Sequence, residues 1–283
     1  MFPHHWTSRQ RFVRGIIAVL FVTLLTIGLA ELALWWIDPL GITTLYTDQD
    51  QIVTIANAEG YTLDPGRHQM RGWSYTIDQA GNRLMPSSAA DCRIAFVGDS
   101  ITFGQGVNDD QSFAYQIALD HPEAMFINAA KIAYNIANVT ASIGNHPADG
   151  YIYFISDNDD GLPWARAESD WGKRRELPAR RCALCYHINF FFQPRPPVVV
   201  DREAFWEALA GLTASDAVLL AAMGSPLGDE ISARYPSIPL IPRWRFDQQI
   251  SWADGHPNAA GHVYLLNALR EILTDFVAKR CGE

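Results

Sequence analysis

The chain has no block of basic residues, no internal repeat and no low-complexity tract. With a formal net charge of −9, it offers no cationic face for a phosphate backbone, which speaks against nucleic acid as a partner. Lack of a repeat removes solenoids and propellers. Cysteine is scarce, with four in 283 residues. Cys182-Ala-Leu-Cys185 has no second cysteine pair to complete a tetrahedral zinc site, although His187 is near. No βαβ unit puts this pair at the start of a helix, as a thioredoxin-like motif requires. It reads as a structural disulfide tying down an irregular insertion over 157–200. No metal or organic cofactor is implied.

Charge is also missing from one long stretch. Gly15 to Ile37 runs 23 residues with Glu31 as its sole charge. As a helix it spans ~34 Å, enough for a bilayer core. Arg9, Arg11 and Arg14 precede it without an acidic residue, and no Lys or Arg comes after it until Arg67. The positive-inside bias then puts residues 1–14 in the cytoplasm, the span at 15–37 and the rest outside. Trp35 and Trp36 stand where an interfacial aromatic anchor belongs. A cleaved signal peptide is the alternative, since Gly28-Leu29-Ala30 is a small-x-small site. The apolar run continues past Ala30, which favours an anchor.

The remainder is ordinary globular sequence, in a chain 48% hydrophobic and 19% charged. Residues 38–91 read as a connecting region containing a short strand and an Ala80-Gly81-Asn82 turn. From residue 92 strands and helices alternate. Strands are expected at 93–98, 124–128, 151–156, 217–224 and 237–242, and helices at 110–120, 134–145, 201–212 and 258–280. Continuous apolar strands between helices imply a parallel sheet covered on both faces. Asn138-Val-Thr140 matches a glycosylation acceptor but falls inside an expected helix.

Ligands of such sheets bind at the carboxyl ends of the strands. Gly98-Asp99-Ser100, Asn128-Ala129-Ala130 and Asp157-Asn158-Asp159 come directly after the first three strands, and Asp254-Gly-His-Pro-Asn258 precedes the last helix. All four clusters fall on one rim. A serine hydroxyl needs a histidine to take its proton, and the histidine needs a carboxylate to fix its tautomer. Ser100, His256 and Asp254 supply those parts. Oxyanion donors are expected from the N–H groups of Ser100 and Ala130 and from the Asn158 amide. His262 is assigned to the surface or packing of the last helix.

"GDSITFGQGV", "NAA", "SDND" and "DGHPN" together resemble the four sequence blocks of the SGNH/GDSL hydrolases, over roughly 92–283. The resemblance implies a three-layer α/β/α flavodoxin-like hydrolase domain and ester chemistry with Ser100 as nucleophile. The anchored layout is similar to the branch that handles acyl groups on envelope polysaccharides. Three departures stand out. Ala130 and Ser156 replace glycines of the pattern, and one residue instead of two separates Asp254 from His256. Lys131, beside Ala130, favours an anionic substrate if it faces the site, and is otherwise an exposed lysine. In such a fold the start of the first strand and the end of the last helix meet, which pairs Cys92 with Cys281.

The implied activity is that of a membrane-anchored serine esterase or O-acyltransferase outside the cytoplasm, with acylated carbohydrate or another small ester as substrate. A transferase would draw on a membrane acyl-transfer partner. A lipase or thioesterase of the same family is one alternative. Another is a non-catalytic carbohydrate-binding or assembly protein, for which the aromatic run 188–197 would serve as platform.

Overall fold

The computed structural model describes residues 7–51, 54–57, 59–161, 182–192 and 199–282. Parts of the insertion (162–181), of the aromatic run (193–197) and of the leader (1–6) lie outside the described residues.

Helix α1, Ser8–Ile37, has no buried residue and is exposed at every position from Ser8 to Leu29. It is long and apolar enough to cross a membrane, with mean hydropathy 2.4 over its most apolar window. Apolar side chains exposed on every face have no stable place in water. The hydroxyls of Thr23 and Thr26 donate to carbonyls one turn back, so neither is left unpaired in an apolar surrounding. Asp38 ends the helix in the left-handed region and starts α2 (Ile42–Gln51), where its carboxylate accepts from the N–H groups of Thr43 and Thr44.

The connecting region is itself folded. β1 (Thr54–Asn57) pairs with β2 (Gly60–Leu63), and β3 (Gly66–Gln69) with β4 (Ser74–Ile77), both antiparallel. Tyr61, Leu63, Trp73, Tyr75 and Ile77 from these hairpins pack with Phe103, Ala130 and Tyr134. The hairpins thus roof the segments that carry the second half of the Gly98–Val107 turn and the Asn128–Ala130 cluster.

The main sheet contains β5 (Arg93–Val97), β6 (Met125–Asn128), β7 (Gly150–Ile155), β8 (Val218–Met223) and β9 (Leu240–Ile241). Their spatial order is β6-β5-β7-β8-β9, all parallel. Counted along the chain that is 2-1-3-4-5, the flavodoxin-like order. Inward residues of alternate register feed two cores. Ile94, Phe96, Ile152 and Phe154 face α4 (Phe113–Asp120) and α9 (Ala259–Cys281), while Ala95, Val97, Tyr153 and Ile155 face α5 (Ile136–Asn145), α7 (Arg202–Thr213) and α8 (Pro226–Arg234). The α/β/α layering results from that alternation. Cys92 and Cys281 are joined by a disulfide with Cα atoms 5.6 Å apart, fastening the start of β5 to the end of α9.

Part of the insertion departs from the irregular reading. Ala183–Phe192 forms helix α6, and Cys182 and Cys185 are disulfide-bonded at its first turn. The pair does stand at a helix start, although no βαβ unit carries it. The expected elements also lack α8, despite its Ser225 N-cap with proline at the first helical position.

Candidate active site

The turn that carries Ser100 is a product of local chemistry. β5 ends at Val97, and Gly98 takes φ 145°, where a Cβ would lie 2.7 Å from Thr102 Oγ1. A side chain there would force the turn open. Asp99 then caps the one-turn helix α3 (Ser100–Phe103), its Oδ1 accepting from the Ile101 N–H at 2.9 Å. Ser100 is therefore the first residue of a helix at the carboxyl end of a central strand. Register places Phe96 beside Asn128 and Val97 beside Tyr153, so the three strand-end clusters lie side by side.

His256 arrives from the loop between β9 and α9. That loop closes on itself through Ile250 N–H to His256 O (2.9 Å), Ser251 N–H to Asp254 O (3.2 Å) and Trp244 Nε1 to Gly255 O (3.1 Å). Asn258 caps α9 through the Gly261 N–H. The result brings Ser100 Oγ within 2.7 Å of His256 Nε2, and His256 Nδ1 within 2.5 Å of Asp254 Oδ1. Separation by one residue does not keep Asp254 from His256. The same Oδ1 also accepts from the His256 N–H at 3.1 Å.

Burial works against the charged form of His256, but Asp254, then Asp99 and Asp157, outweigh it and raise its pKa above the ordinary histidine value. Asp254 moves the opposite way: burial opposes its charge, and His256 holds it below the usual carboxylate range. Burial raises the pKa of Asp99 and, with Asp99 beside it, raises that of Asp159 strongly. The imidazole is thus polarised by a charged partner while the buried carboxyls of Asp99 and Asp159 resist ionisation.

The oxyanion candidates divide. No described residue accepts from the Ser100 N–H. Ala130 differs from the expectation, because its N–H donates to the Asn128 side chain at 3.2 Å. Asn158 is exposed, and its Oδ1 lies 2.5 Å from Ser156 Oγ, which is also 2.7 Å from Asp99 Oδ2. The Ser156 hydroxyl has one proton to give: it reaches Asn158 Oδ1 when Asp99, its pKa raised by burial, is protonated and donates to Ser156 Oγ in turn. In that arrangement Nδ2 is left as the donor of Asn158.

Lys131 is a correction: it is only 2% exposed, its Nζ donates to Ala129 O, and burial lowers its pKa to about 8. It is neither a surface lysine nor open to an anionic substrate. His262 is buried in packing, stacked on Phe113 and accepting that residue's N–H, with burial driving its pKa to about 3. It lies inside the core instead of on the helix surface. Asn138, the glycosylation candidate, is buried in α5 and donates to Glu59 O.

Sequence reasoning missed Arg83. Fully buried, it donates to the carbonyls of Phe103 (2.6 Å), Gly104 (2.5 Å) and Val107 (2.6 Å) and pairs with Asp109 at 3.0 Å. It holds the glycine-rich chain behind Ser100 in place. A lone arginine after a turn carries no signal of that role. Among the described residues no cluster of His, Cys, Asp or Glu is arranged to hold a metal.

No family model matches the chain, and no curated protein does. Solved structures similar to it include LAE5, an alpha/beta hydrolase from the metagenome of Lake Arreo, Spain (14% identity, TM-score 0.40, covering 66% of this chain and 97% of that one). A lipolytic protein of the G-D-S-L family from Veillonella parvula has 16% identity and TM-score 0.39, covering 65% and 98%. A catalytic mutant of Axe2, an acetylxylan esterase from Geobacillus stearothermophilus, has 14% identity and TM-score 0.39, covering 67% and 96%.

Proposed function

We propose that the chain is a membrane-anchored serine esterase or O-acyltransferase acting on acyl esters, acetyl foremost, of envelope carbohydrate. The observation that carries this reading is the continuous hydrogen-bonded path Ser100–His256–Asp254 at the carboxyl rim of the sheet. Ser100 Oγ attacks the acyl carbonyl while His256 Nε2 takes its proton. Asp254 orients the ring and balances the charge of the imidazolium. The oxyanion that forms is held by the Ser100 N–H and Asn158 Nδ2. His256 then returns the proton to the departing alkoxide, leaving an acyl-serine. Water resolves it in a hydrolase, and a sugar hydroxyl, with a membrane acyl donor upstream, in a transferase.

The anchor reading rests on α1, and its orientation on Arg9, Arg11 and Arg14 before the span. The N-terminus is then cytoplasmic and the hydrolase domain extracytoplasmic, a compartment in which both disulfides persist. A fluorophosphonate probe should label Ser100, and Ser100→Ala should abolish labelling and release of p-nitrophenol from its acetate ester. Wild-type turnover in Ser100→Ala would overturn the chemistry. A cytoplasmic C-terminal reporter would overturn the topology.

A further inference from the structure

Glu31, the lone charge of the apolar span, has a specific partner. Its two carboxylate oxygens accept the N–H groups of Ala183 (2.6 Å) and Leu184 (2.8 Å), capping the first turn of α6. One turn on, Trp35 of α1 meets Tyr186 of α6, ring centroids 6.4 Å apart. Both helices advance together, so α6 runs parallel to α1 toward its outer end. Glu31 lies six residues before Ile37, hence about 9 Å inside the end of the helix. If α1 spans a bilayer, the first turn of α6 lies at the depth of the outer interface.

The composition of α6 suits that position. Ala183–Phe192 contains no Asp, Glu, Lys or Arg, and Ile188, Phe191 and Phe192 are exposed, Phe192 by 80%. Its far end packs against Trp252 with tilted rings, the centroids of Phe190 and Phe191 lying 5.8 and 6.0 Å from that ring. Trp252 is itself 51% exposed, and Trp36 and Ile37 continue the apolar surface on α1. Trp252 sits in the loop that carries Asp254 and His256. The same loop binds the chain leaving the span: the Ala253 N–H donates to Leu40 O at 3.0 Å. Contact there is so close that a Cβ on Gly41 would lie 2.2 Å from Ser251 Oγ. Between them a cavity of about 430 Å³ is lined by Ile37, Asp38, Arg71, Trp252 and Asp254.

We propose that α6 and Trp252 form a foot immersed in the outer headgroup layer of the bilayer, holding the Asp254–His256 loop at the membrane surface. The occupant of this apolar face is lipid, because the face is continuous with the membrane span and its described helix, Ala183–Phe192, bears no charged side chain. Aromatic residues at the tip are the types that favour the interface. The proposal rests on α1 being a membrane span and is independent of ester chemistry.

The test uses the full-length chain in phosphatidylcholine nanodiscs with or without lipids brominated near the headgroup. The difference in emission between wild type and Trp252→Phe reports Trp252. It should be quenched by at least 30%, and less by bromines near the bilayer centre. Phe192→Ser, a change at an exposed position, should reduce that quenching at least twofold while the protein stays in the disc. Emission remaining in Trp252→Phe includes Trp35 and Trp36 and reports the span. Quenching of that signal without quenching of Trp252 would overturn the foot alone. No quenching of either would overturn the span and the foot together.

Discussion

Asp254→Asn separates the charge of the carboxylate proposed to orient His256 from its geometry. In serine hydrolases an amide at this position is damaging when its NH₂ turns toward the histidine and imposes the wrong tautomer. The loss in kcat is then on the order of 10⁴-fold. Here one oxygen, Asp254 Oδ1, accepts both the ring Nδ1–H at 2.5 Å and the His256 backbone N–H at 3.1 Å. The backbone donor cannot rotate away, so an asparagine keeps its oxygen toward the ring and the tautomer is retained. Only the charge on the hydrogen bond disappears, the difference between a bond to a charged group (~1.5–3 kcal/mol) and a neutral one (~0.5–1.5 kcal/mol), or about 1–1.5 kcal/mol. At about 1.36 kcal/mol per decade this is roughly a 5- to 13-fold fall in kcat/KM.

The pH profile carries the second half of the argument. His256 accepts the serine proton only when neutral, so activity is lost as pH falls through its pKa. Asp254 is the largest influence raising that pKa against burial. Wild-type kcat/KM for p-nitrophenyl acetate should therefore fall on an acid limb above the ordinary histidine value of 6.5, and Asp254→Asn should move the limb to lower pH. A 10³-fold loss or more would mean that the amide has flipped. An unmoved acid limb would mean that the carboxylate does not govern His256.

Two further outcomes concern the frame. Arg83→Met leaves Asp109 and three loop carbonyls without their buried donor, and should cost ~3–5 kcal/mol of stability in urea unfolding; a loss below about 1 kcal/mol would deny that Arg83 holds the loop behind Ser100. Cys281→Ser releases the end of α9 from β5 and should cost ~2–4 kcal/mol, with reductant lowering the wild type toward the variant; equal stability of the two in oxidant would refute it.

Most of the site was legible because its parts are short and local. Gly98-Asp99-Ser100 states its own turn and cap, and Asn258 states the start of α9. Parallel strands buried on both faces read as apolar runs, and their alternation with helices predicts which ends share a rim. The features that escaped depend on distant packing. Lys131 reads as a surface charge until the β1–β4 hairpins are seen to roof it. Arg83 gains its role only when the chain from Phe103 to Asp109 wraps around it. α6 has no strong helical signature of its own within a segment rich in Arg and Pro. Its first turn is capped by Glu31, 152 residues away in sequence, a partnership that no local pattern encodes.

In the proposed mechanism the two departures from glycine, Ala130 and Ser156, bear on one function, the holding of the oxyanion. Ala130 has its N–H directed to Asn128, so that donor is engaged before substrate arrives. With Asp99 protonated, Ser156 gives its one proton to the Asn158 amide oxygen, which leaves the Asn158 NH₂ as the donor. The burden then falls on the Ser100 N–H and Asn158 Nδ2. Removing one such donor typically costs ~2.7–4 kcal/mol at the transition state. Asn158→Ala should therefore lower kcat about 10²- to 10³-fold with little change in KM, since the contact forms only as the carbonyl oxygen gains charge. Ser156→Ala, which removes the aiming hydroxyl but not the donor, should lower kcat in the same direction by a smaller factor. Steady-state kinetics on p-nitrophenyl acetate reads both. Activity within threefold of wild type in Asn158→Ala would return the oxyanion to Ala130, and with it would fall the role given to Ser156.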